Sequence, residues 1–308
     1  MTNSTTATEP TPRPGGTRTF AGHMVARIGY GAMQLARLAE DRDSAVAVLR
    51  RAVDLGVDHV DTAQFYGQGF VNAVIADVLR PGDHVMVVTK IGADPNPAGP
   101  LPMRSAQRPE ELRASVEDNL RSLGLDQIPV VNLRRMDTGH AVPGGPDQVV
   151  ALDDQLAEMT AMRDEGLIGA IGLSSVTIDV LRRGLPAGIA CVQNAYSLVD
   201  RSDEPMLDLC VAQGIAWVPY FPLGSAFPGL PKVTDEPDVQ AIAGTLGVTA
   251  SQVGLAWLLQ HSPDTLLIPG TASVDHLDAN IAVGEVHLDA TMIDQLDRIP
   301  TRVPEQHH

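Results

Sequence analysis

The sequence of 308 residues is poor in features that mark several classes of protein. Its two cysteines, Cys191 and Cys210, offer neither a disulfide framework nor metal-ligand spacing, which suits a reducing compartment. No apolar run approaches the roughly 20 residues that a spanning helix needs, so we expect no membrane segment. The 22 Lys and Arg residues are outnumbered by 38 acidic ones, and the resulting net charge of −16 argues against nucleic-acid binding.

The composition is that of a globular chain, with 44% hydrophobic and 19% charged residues. The length allows one large domain or two ordinary ones. Residues 1–17 are rich in Thr, Pro and Gly and contain no apolar stretch, so we expect a frayed tail there and not a secretion signal. The expected location is therefore the cytoplasm. His307 and His308 are either native or the remnant of a purification tag, and no metal site is inferred from them.

Short apolar segments rich in β-branched residues alternate with longer amphipathic segments along the chain. The predicted strands are Val25–Gly29, Val57–Asp61, His84–Lys90, Ile128–Leu133, Ile168–Leu173, Ile189–Asn194, Ile215–Tyr220 and Thr265–Pro269. The predicted helices include Ser44–Leu55, Pro109–Leu123, Asp147–Glu165, Glu204–Gln213 and Ala250–Gln260. This alternation in a chain of this size predicts an α/β protein, a single (β/α)₈ TIM barrel over residues 18–304.

Glycines and short flanking segments complete the predicted barrel. Gly56, Gly124, Gly166 and Gly214 stand where helices should end, just before the next strand. Thr17–Phe20 and His23–Ala26 are expected to form a hairpin that closes the bottom of the barrel. The segment Pro222–Pro237 is rich in Pro and Gly, which is typical of a lid or a binding loop.

The alternative architecture is an open, doubly wound sheet with a dinucleotide-binding fingerprint. Gly29-Tyr30-Gly31 is followed by Gln34 where the third glycine belongs, and no helical pattern begins there. The fingerprint is therefore absent, and the barrel is the favoured prediction.

Polar residues close most of the predicted strands. They are Asp61, Thr89-Lys90, Asn132 to Arg135, Ser174-Ser175, Gln193-Asn194 and Tyr220. In a (β/α)₈ barrel the reacting groups project from the C-terminal ends of the strands, so this end is the predicted active site.

Lys90 and Lys232 are the only lysines in a chain whose other basic residues are arginines. Because Lys90 ends a strand in such a chain, we expect that this position requires a compact ammonium and not a planar guanidinium. Asp61 ends the neighbouring strand and is expected to pair with Lys90. Tyr66 follows on a loop that can fold over the barrel mouth. An ammonium beside a phenol favours the phenolate, which makes Tyr66 a usable proton donor near neutral pH. The three residues together predict acid–base chemistry on an oxygen atom.

Six motifs, in order along the chain, resemble those of the aldo-keto reductases. They are Asp61-Thr62-Ala63-Gln64-Phe65-Tyr66-Gly67, Thr89-Lys90, Ile171-Gly172-Leu173-Ser174-Ser175, Val192-Gln193-Asn194, Tyr220-Phe221-Pro222-Leu223-Gly224 and the stretch from Ile268 to Asn280. The resemblance covers the chain from about Arg27 to Ile299. It implies a (β/α)₈ barrel enzyme whose partner is a small carbonyl compound. The enzyme would reduce an aldehyde or ketone to an alcohol with NADPH, or with NADH as the alternative cofactor.

The resemblance also implies residue roles: Tyr66 is the general acid, assisted by Lys90 and Asp61. The implied cofactor-binding residues are Gly31, Ala32, Met33, Asp61, Ser174, Ser175, Gln193, Tyr220, Phe221, Pro222, Leu223, Gly224, Ser225, Gly270, Thr271, Ala272, Ser273, His276 and Asn280. Among them, Ser174, Ser175 and Gln193 would hold the carboxamide, and Tyr220 would stack on the nicotinamide ring. Residues 222–225 would lie along the pyrophosphate. Residues 270–280 would hold the adenosine half, where a helix N-terminus favours phosphate.

Three departures from the family pattern stand out. Arg134 stands where the family usually has a catalytic His, and we expect it to hydrogen-bond the substrate oxygen and further favour the phenolate of Tyr66. Ser175 replaces the usual Asn of a Ser-Asn pair. Gly270 and His276 occupy places where several members have Lys and Arg, so NADPH preference rests on hydroxyl groups such as that of Thr271.

Two rival functions remain open from the sequence alone. A barrel lyase or aldolase would use Lys90 as a Schiff-base nucleophile, which requires a neutral amine. A non-catalytic subunit that senses a nicotinamide cofactor would not need Tyr66 and Lys90, and the missing His is consistent with it.

Overall fold

The structure is a computed structural model that describes residues 13–80, 83–135, 137–138, 145–224 and 231–302. Its strands are β1 (Thr17–Phe20), β2 (His23–Ala26), β3 (Tyr30–Gly31), β4 (His59–Asp61), β5 (Met86–Ile91), β6 (Ala93–Pro95), β7 (Met103–Ser105), β8 (Ile128–Arg134), β9 (Ile168–Ser174), β10 (Ile189–Gln193) and β11 (Ala216–Trp217). Its α-helices are α1 (Arg42–Asp54), α2 (Phe70–Val78), α3 (Pro109–Leu123), α4 (Leu152–Asp164), α5 (Ile178–Gly184), α6 (Glu204–Gln213), α7 (Pro237–Leu246), α8 (Ala250–His261), α9 (Val274–Ile281) and α10 (Ala290–Asp297).

Seven parallel strands form one curled sheet in the order β3-β4-β5-β8-β9-β10-β11. Residues 264–267 fill the remaining gap between β11 and the segment before β3. The N–H of Leu266 donates to the carbonyl of Trp217 at 2.8 Å, and the N–H of Leu267 donates to that of Arg27 at 2.8 Å. The sheet is thereby closed, and the predicted (β/α)₈ barrel is confirmed. The predicted strand Thr265–Pro269 takes the closing position through single bridges rather than a continuous ladder.

Local sequence explains where the best-predicted helices begin and end. Helix α3 has the predicted bounds: Pro109 fixes its first turn, acidic Glu110 and Glu111 follow, and Gly124 ends it with a left-handed φ of 66°. Helix α6 also has its predicted bounds and ends at Gly214 with φ of 67°. Every residue of β5 is buried, as expected for a strand covered on both faces.

The N-terminal hairpin closes the bottom of the barrel, as predicted. Strands β1 and β2 pair antiparallel from Thr17 opposite Ala26 to Phe20 opposite His23. The side chains of Phe20 and Val25 are 2% and 3% exposed and pack in one cluster with residues of the strands. The hairpin thus contributes apolar side chains to the floor of the barrel, and the predicted site residues gather at the opposite end.

Two predictions near the N-terminus are wrong in their bounds. The predicted strand Val25–Gly29 is divided, because Val25 and Ala26 pair within the hairpin and the barrel strand β3 begins at Tyr30. Residues 13–17 were expected in a frayed tail, but the carbonyl of Gly16 accepts from Arg27 N at 2.9 Å. Arg13 also pairs with Asp58 at 3.1 Å, so this segment is fixed against the barrel.

Other boundaries differ where tertiary contacts interrupt a local pattern. The predicted helix Asp147–Glu165 begins at Leu152, because residues 146–148 form a separate 3₁₀ turn. The ladder of the predicted strand Ile215–Tyr220 is limited to Ala216–Trp217. The predicted loop Pro222–Pro237 contains a 3₁₀ turn at Val233–Asp235, and α7 begins at Pro237. The hairpin of β6 and β7 was not predicted.

In the described part of the chain, no single helix is long and apolar enough to cross a membrane. Helices α7 and α8 pass that test only when taken together, and they are bent by 97° at the break between them.

Candidate active site

Asp61 and Lys90 lie side by side at the C-terminal ends of β4 and β5. The Lys90 ammonium donates to Asp61 Oδ1 and, at 3.2 Å, to the carbonyl of Thr62. The side chains of Lys90 and Asp61 are only 7% and 5% exposed. The predicted pair is therefore a buried ion pair on adjacent parallel strands.

The surroundings of Lys90 keep it charged. Burial disfavours its ammonium, but the charges of Asp61 and Tyr66 and the hydrogen bonds of both oppose this effect and raise the pKa of Lys90 above its usual value. A nucleophilic amine needs the opposite shift. The site is therefore suited to holding a fixed positive charge.

Tyr66 is half-buried at the start of a 3₁₀ turn that spans Tyr66–Gly69. The Lys90 ammonium lies 5.4 Å from the centroid of the Tyr66 ring, so the structure brings the predicted phenol and ammonium together. The following residues Gly67, Gln68 and Gly69 have φ of 58°, 54° and 91°. Left-handed backbone at three successive residues folds the chain back over the barrel mouth, and two of the three are glycine, which tolerates it.

Arg134 ends β8 and forms a wall of the site. Its guanidinium carbon lies 5.7 Å from the centroid of the Phe65 ring, and its Nη1 lies 3.8 Å from Met103 Sδ. Among the described residues, no carboxylate lies within 4.0 Å of its nitrogens, and the segments outside the described ranges contain only two acidic residues, Glu9 and Glu305. In the described structure, the guanidinium of Arg134 is therefore not paired with a carboxylate.

Gln193 lies across the barrel mouth from β4 and β5 and carries an unused acceptor. Its Nε2 donates to Asp61 Oδ2 at 2.7 Å. Its Oε1 is buried and has no hydrogen-bond partner among the described residues. A buried carbonyl oxygen without a partner costs free energy unless a ligand satisfies it. This oxygen fits the amide N–H of a carboxamide.

Ser174 and Ser175 lie beside Gln193, and Tyr220 contacts Ser175. Ser174 ends β9, and its neighbours across the sheet are Arg134 and Gln193. Ser175 has a left-handed φ of 54°, and its Oγ lies 3.1 Å from the Tyr220 hydroxyl. The four predicted nicotinamide-binding residues therefore form one group beside the Asp61–Lys90 pair.

The chain turns sharply after Tyr220. Phe221 has φ of 54°, and the N–H of Gly224 donates to the Phe221 carbonyl at 2.9 Å, with Pro222 and Leu223 between them. The structure places this predicted phosphate-binding turn directly beyond Tyr220. Ser225, the last residue predicted for it, lies outside the described residues.

Two glycines bring the first strand and the predicted adenosine segment together. A Cβ on Gly31 would lie 2.4 Å from the Ile268 carbonyl, and one on Gly270 would lie 2.4 Å from the Gly31 carbonyl. Tyr30 is fully buried and donates to the Thr271 carbonyl. Of the neighbours predicted to touch the cofactor, Ala32 is buried and Met33 is 44% exposed.

The remaining predicted residues belong to the start of helix α9. Ser273 is its N-cap and accepts from the backbone N–H of His276 at 3.4 Å. Ala272 precedes this cap, His276 is exposed in the first turn, and Asn280 is half-buried on the same helix. The arrangement gathers hydroxyl groups and a helix N-terminus, and residues 270–280 themselves contain no Lys or Arg. Arg51 contacts the same helix but is paired with Asp278 at 3.0 Å.

Two parts of the site were missed by sequence reasoning. Met103 reaches Arg134 because the unpredicted β6–β7 hairpin folds over the barrel mouth. Asn72 is fully buried behind the Asp61–Lys90 pair. A signal for Asn72 was present, since this amide interrupts an apolar run, Phe70–Val78, that forms α2.

The comparisons with known proteins agree with this geometry. The sequence model of the Aldo/keto reductase family matches residues 27–300. The chain is 44% identical to pyridoxine 4-dehydrogenase of Escherichia coli over 292 residues, covering 92% of this chain and 98% of that protein. It is 33% identical to an uncharacterized oxidoreductase of Schizosaccharomyces pombe, covering 92% and 89%. Among solved structures, an aldo-keto reductase from Klebsiella pneumoniae in complex with NADPH superposes with a TM-score of 0.76 at 26% identity, covering 94% and 96%.

The chain belongs to the aldo/keto reductase family. The resemblance stated from the motifs is thereby confirmed, as are the fold and the class of enzyme, an NAD(P)H-dependent oxidoreductase. The match spans nearly the full length of the Escherichia coli and Klebsiella proteins.

Proposed function

We propose that this protein reduces an aldehyde to an alcohol with NADPH and that Tyr66 donates the proton. The observation that carries the proposal is the contact of Tyr66 with a lysine that is itself buried against Asp61. A positive charge beside the phenol stabilises the phenolate left after proton transfer. The three side chains thus supply what protonation of a nascent alkoxide requires.

The residues fit the cofactor at its nicotinamide end. The unpaired Gln193 Oε1 would accept from the carboxamide, and the hydroxyls of Ser174 and Ser175 would complete its hydrogen bonds. The ring of Tyr220 would cover the nicotinamide, and the turn after it would follow the pyrophosphate. When bound, the cofactor supplies the hydride; the protein orients it and manages charge.

The adenosine half would lie along residues 270–273, with His276 and Asn280. The α9 N-terminus presents backbone N–H groups, and anions are favoured there. Thr271 and Ser273 add hydroxyl groups, and His276 adds positive charge only when it is protonated. We propose NADPH as the preferred cofactor on this basis, with NADH as the weaker alternative.

For the substrate we propose an aromatic aldehyde with an oxygen on the neighbouring ring carbon, as in pyridoxal. The Escherichia coli relative is named for oxidation at position 4 of pyridoxine. In this chain, Arg134 offers a planar fork of donors without a carboxylate partner among the described residues, next to the flat face of Phe65. Such a fork can donate to the aldehyde oxygen and to the adjacent ring oxygen at once.

Neither rival function is favoured by the site. A Schiff base on Lys90 would need a neutral amine, whereas the ion pair with Asp61 raises the Lys90 pKa. A cofactor-sensing subunit without catalysis would have no use for Tyr66 against that ammonium. Location in the cytoplasm and a single domain over residues 18–304 stay predictions from the sequence.

The test is turnover of NADPH, followed by its absorbance, with pyridoxal and a panel of other aldehydes, ketones and quinones. A matched pair, 2-hydroxybenzaldehyde and 4-hydroxybenzaldehyde, isolates the role of the neighbouring oxygen. We expect the wild type to prefer the 2-hydroxy isomer and Arg134→Met to lose that preference. The ratio of the two rates is compared between the wild type and the variant, so the intrinsic reactivity of the two aldehydes cancels. An unchanged preference would refute the proposed role of Arg134, and no multiple turnover with any carbonyl would refute the proposed function.

A further inference from the structure

A cluster of buried and half-buried polar side chains lies behind the active site, between strands β4 and β5 and helices α2 and α3. We call it the amide network, and its members are Thr62, Gln64, Asn72, Thr89, Asn119 and Ser122. The layer between a barrel and its helices is ordinarily apolar, and a buried polar group is costly there unless it is hydrogen-bonded. A connected network at this place therefore calls for a functional reason.

Asn72 is the centre of the amide network. Its Oδ1 accepts from Thr62 Oγ1 at 2.8 Å, and its Nδ2 donates to Gln64 Oε1 at 2.5 Å. The same Nδ2 lies 3.0 Å from Asn119 Oδ1 and 3.1 Å from Ser122 Oγ. Asn72 is fully buried, so its own amide group is shielded from water.

The amide network reaches the backbone beside each proposed catalytic residue. Thr62 follows Asp61 directly, and Thr89 directly precedes Lys90. Side chains alternate along a strand, so Asp61 and Lys90 face the barrel interior while the two threonines face the helices. Thr89 Oγ1 donates to Asn119 Oδ1 at 2.8 Å, which links β5 to Asn72 through one amide.

The third connection is to the loop that carries Tyr66. Gln64 lies two residues before Tyr66 and bonds both Asn72 Nδ2 and, at 2.9 Å, the hydroxyl of Ser122. The loop is thereby tied to α2 and α3. The ends of β4 and β5 and the Tyr66 loop all converge on one amide side chain.

We propose that Asn72 is a positioning residue that fixes Asp61, Tyr66 and Lys90 relative to one another through the amide network, without touching substrate or cofactor. The inference rests on the catalytic roles proposed above. Hydrogen bonds are directional, so they define the relative positions of the strand ends and the loop more narrowly than apolar packing alone. Displacements of about 1 Å in an active site can cost up to about a hundredfold in rate.

The first test substitutes Asn72→Ala and, separately, Thr62→Val, which keeps the shape of the side chain but removes the hydroxyl. We expect kcat to fall about tenfold to a hundredfold in Asn72→Ala and less in Thr62→Val, while the Kd of NADPH stays within about twofold. The pH–rate profile should also shift, because the contact between Lys90 and Tyr66 changes. Full kcat with the wild-type profile in both variants would overturn the proposal.

Val78→Ala is the matched control for loss of stability. Val78 is fully buried on the same helix α2 and belongs to its apolar packing, away from the amide network. We expect it to lower the melting temperature while kcat and the pH profile stay unchanged. If Val78→Ala lowers kcat as much as Asn72→Ala at matched stability, the role of Asn72 is merely structural and the proposal is wrong.

A second readout does not depend on any substrate. The chain has two lysines, Lys90 and Lys232, so isotope-labelled lysine gives two side-chain NMR signals that Lys90→Met assigns. We expect Asn72→Ala to move the Lys90 signal and leave that of Lys232 in place. An unmoved Lys90 signal would overturn the positioning role even in an active enzyme. Failure of the proposed function would appear instead as a wild type that reduces no carbonyl.

Discussion

The ammonium of Lys90 lies 5.4 Å from the centre of the Tyr66 ring and is held there by Asp61. The two residues come from different elements, one from a fully buried strand and one from a loop with left-handed backbone. Their contact joins a fixed positive charge to a proton donor at the barrel mouth.

Tyr66→Phe removes the phenol hydroxyl and keeps the ring. We expect kcat for carbonyl reduction to fall about a hundredfold to ten-thousandfold, the usual contribution of a general acid. The Kd of NADPH, measured by fluorescence titration, should change little, because the hydroxyl is not part of the predicted cofactor contacts. Full turnover in this variant would show that another group donates the proton.

Lys90→Met leaves the carboxylate of Asp61 buried without its counter-charge. Breaking a buried pair in this way typically costs about 3–5 kcal/mol, measured by urea unfolding. The double variant Asp61→Asn/Lys90→Met should recover a large part of that loss while remaining inactive. Since the Lys90 pKa is raised, the Lys90 ammonium contributes stability at neutral pH, and this contribution is lost as pH rises through that raised pKa. Equal stability of the single and double variants would contradict this account.

Arg134→His replaces a permanent cation by a group that titrates near neutral pH. If Arg134 stabilises the developing alkoxide, the variant should gain a new acid-favoured step in its pH–rate profile near the ordinary pKa of His, about 6.5. Arg134→Met should lower kcat across the whole range without such a step. A profile of Arg134→His that matches the wild type would rule out a charge effect at this position.

His276→Arg introduces a fixed charge at the exposed first turn of α9. If the adenosine 2′-phosphate binds there, the ratio of the NADPH rate to the NADH rate, at equal low concentrations, should rise about twofold to fivefold, the worth of an exposed ion pair. His287→Arg is a control of the same change outside the predicted site and should leave the ratio unaltered. An unaltered ratio in His276→Arg would place the phosphate elsewhere.

Glu111 joins α3 to the hairpin that carries Met103. Its burial opposes ionisation, but hydrogen bonds from Arg108 and Gln148, together with one from Arg104, outweigh it and lower the Glu111 pKa to about 2. A lowered pKa contributes stability above the usual value of 4.5 and loses it as pH falls towards 2. Glu111→Gln should therefore be less stable than the wild type at neutral pH, with the difference shrinking in acid. A melting-temperature difference that is constant with pH would contradict this.

Much of the fold could be predicted because the deciding signals are local. Pro109 and Gly124 bound α3 through their own backbone preferences, and apolar runs bounded by such signals marked the strands. Boundaries failed where a partner distant in sequence decides them. The sequence pattern predicts that Val25 belongs to a barrel strand, but Val25 pairs with Arg18 in the hairpin.

The residues of the candidate site also divide into those that local signals predict and those that distant partners decide. Asp61, Lys90, Gln193 and Tyr220 were predictable because the polar residue at the end of an apolar parallel strand must lie at one end of the barrel. The contact of Met103 with Arg134 was not predictable from the sequence. It depends on a hairpin whose strands are short and show little alternation of apolar and polar residues.

The alternation of barrel strands with helices and the types of side chain at the barrel mouth were determined by sequence alone, since periodicity and turn residues act over a few positions. Only the tertiary structure decided that Gln193 donates to Asp61, 132 residues away, and that Asn72 meets Asn119. Such bonds require two atoms to approach within about 3 Å. That distance is set by how the whole barrel packs, and no local pattern encodes it.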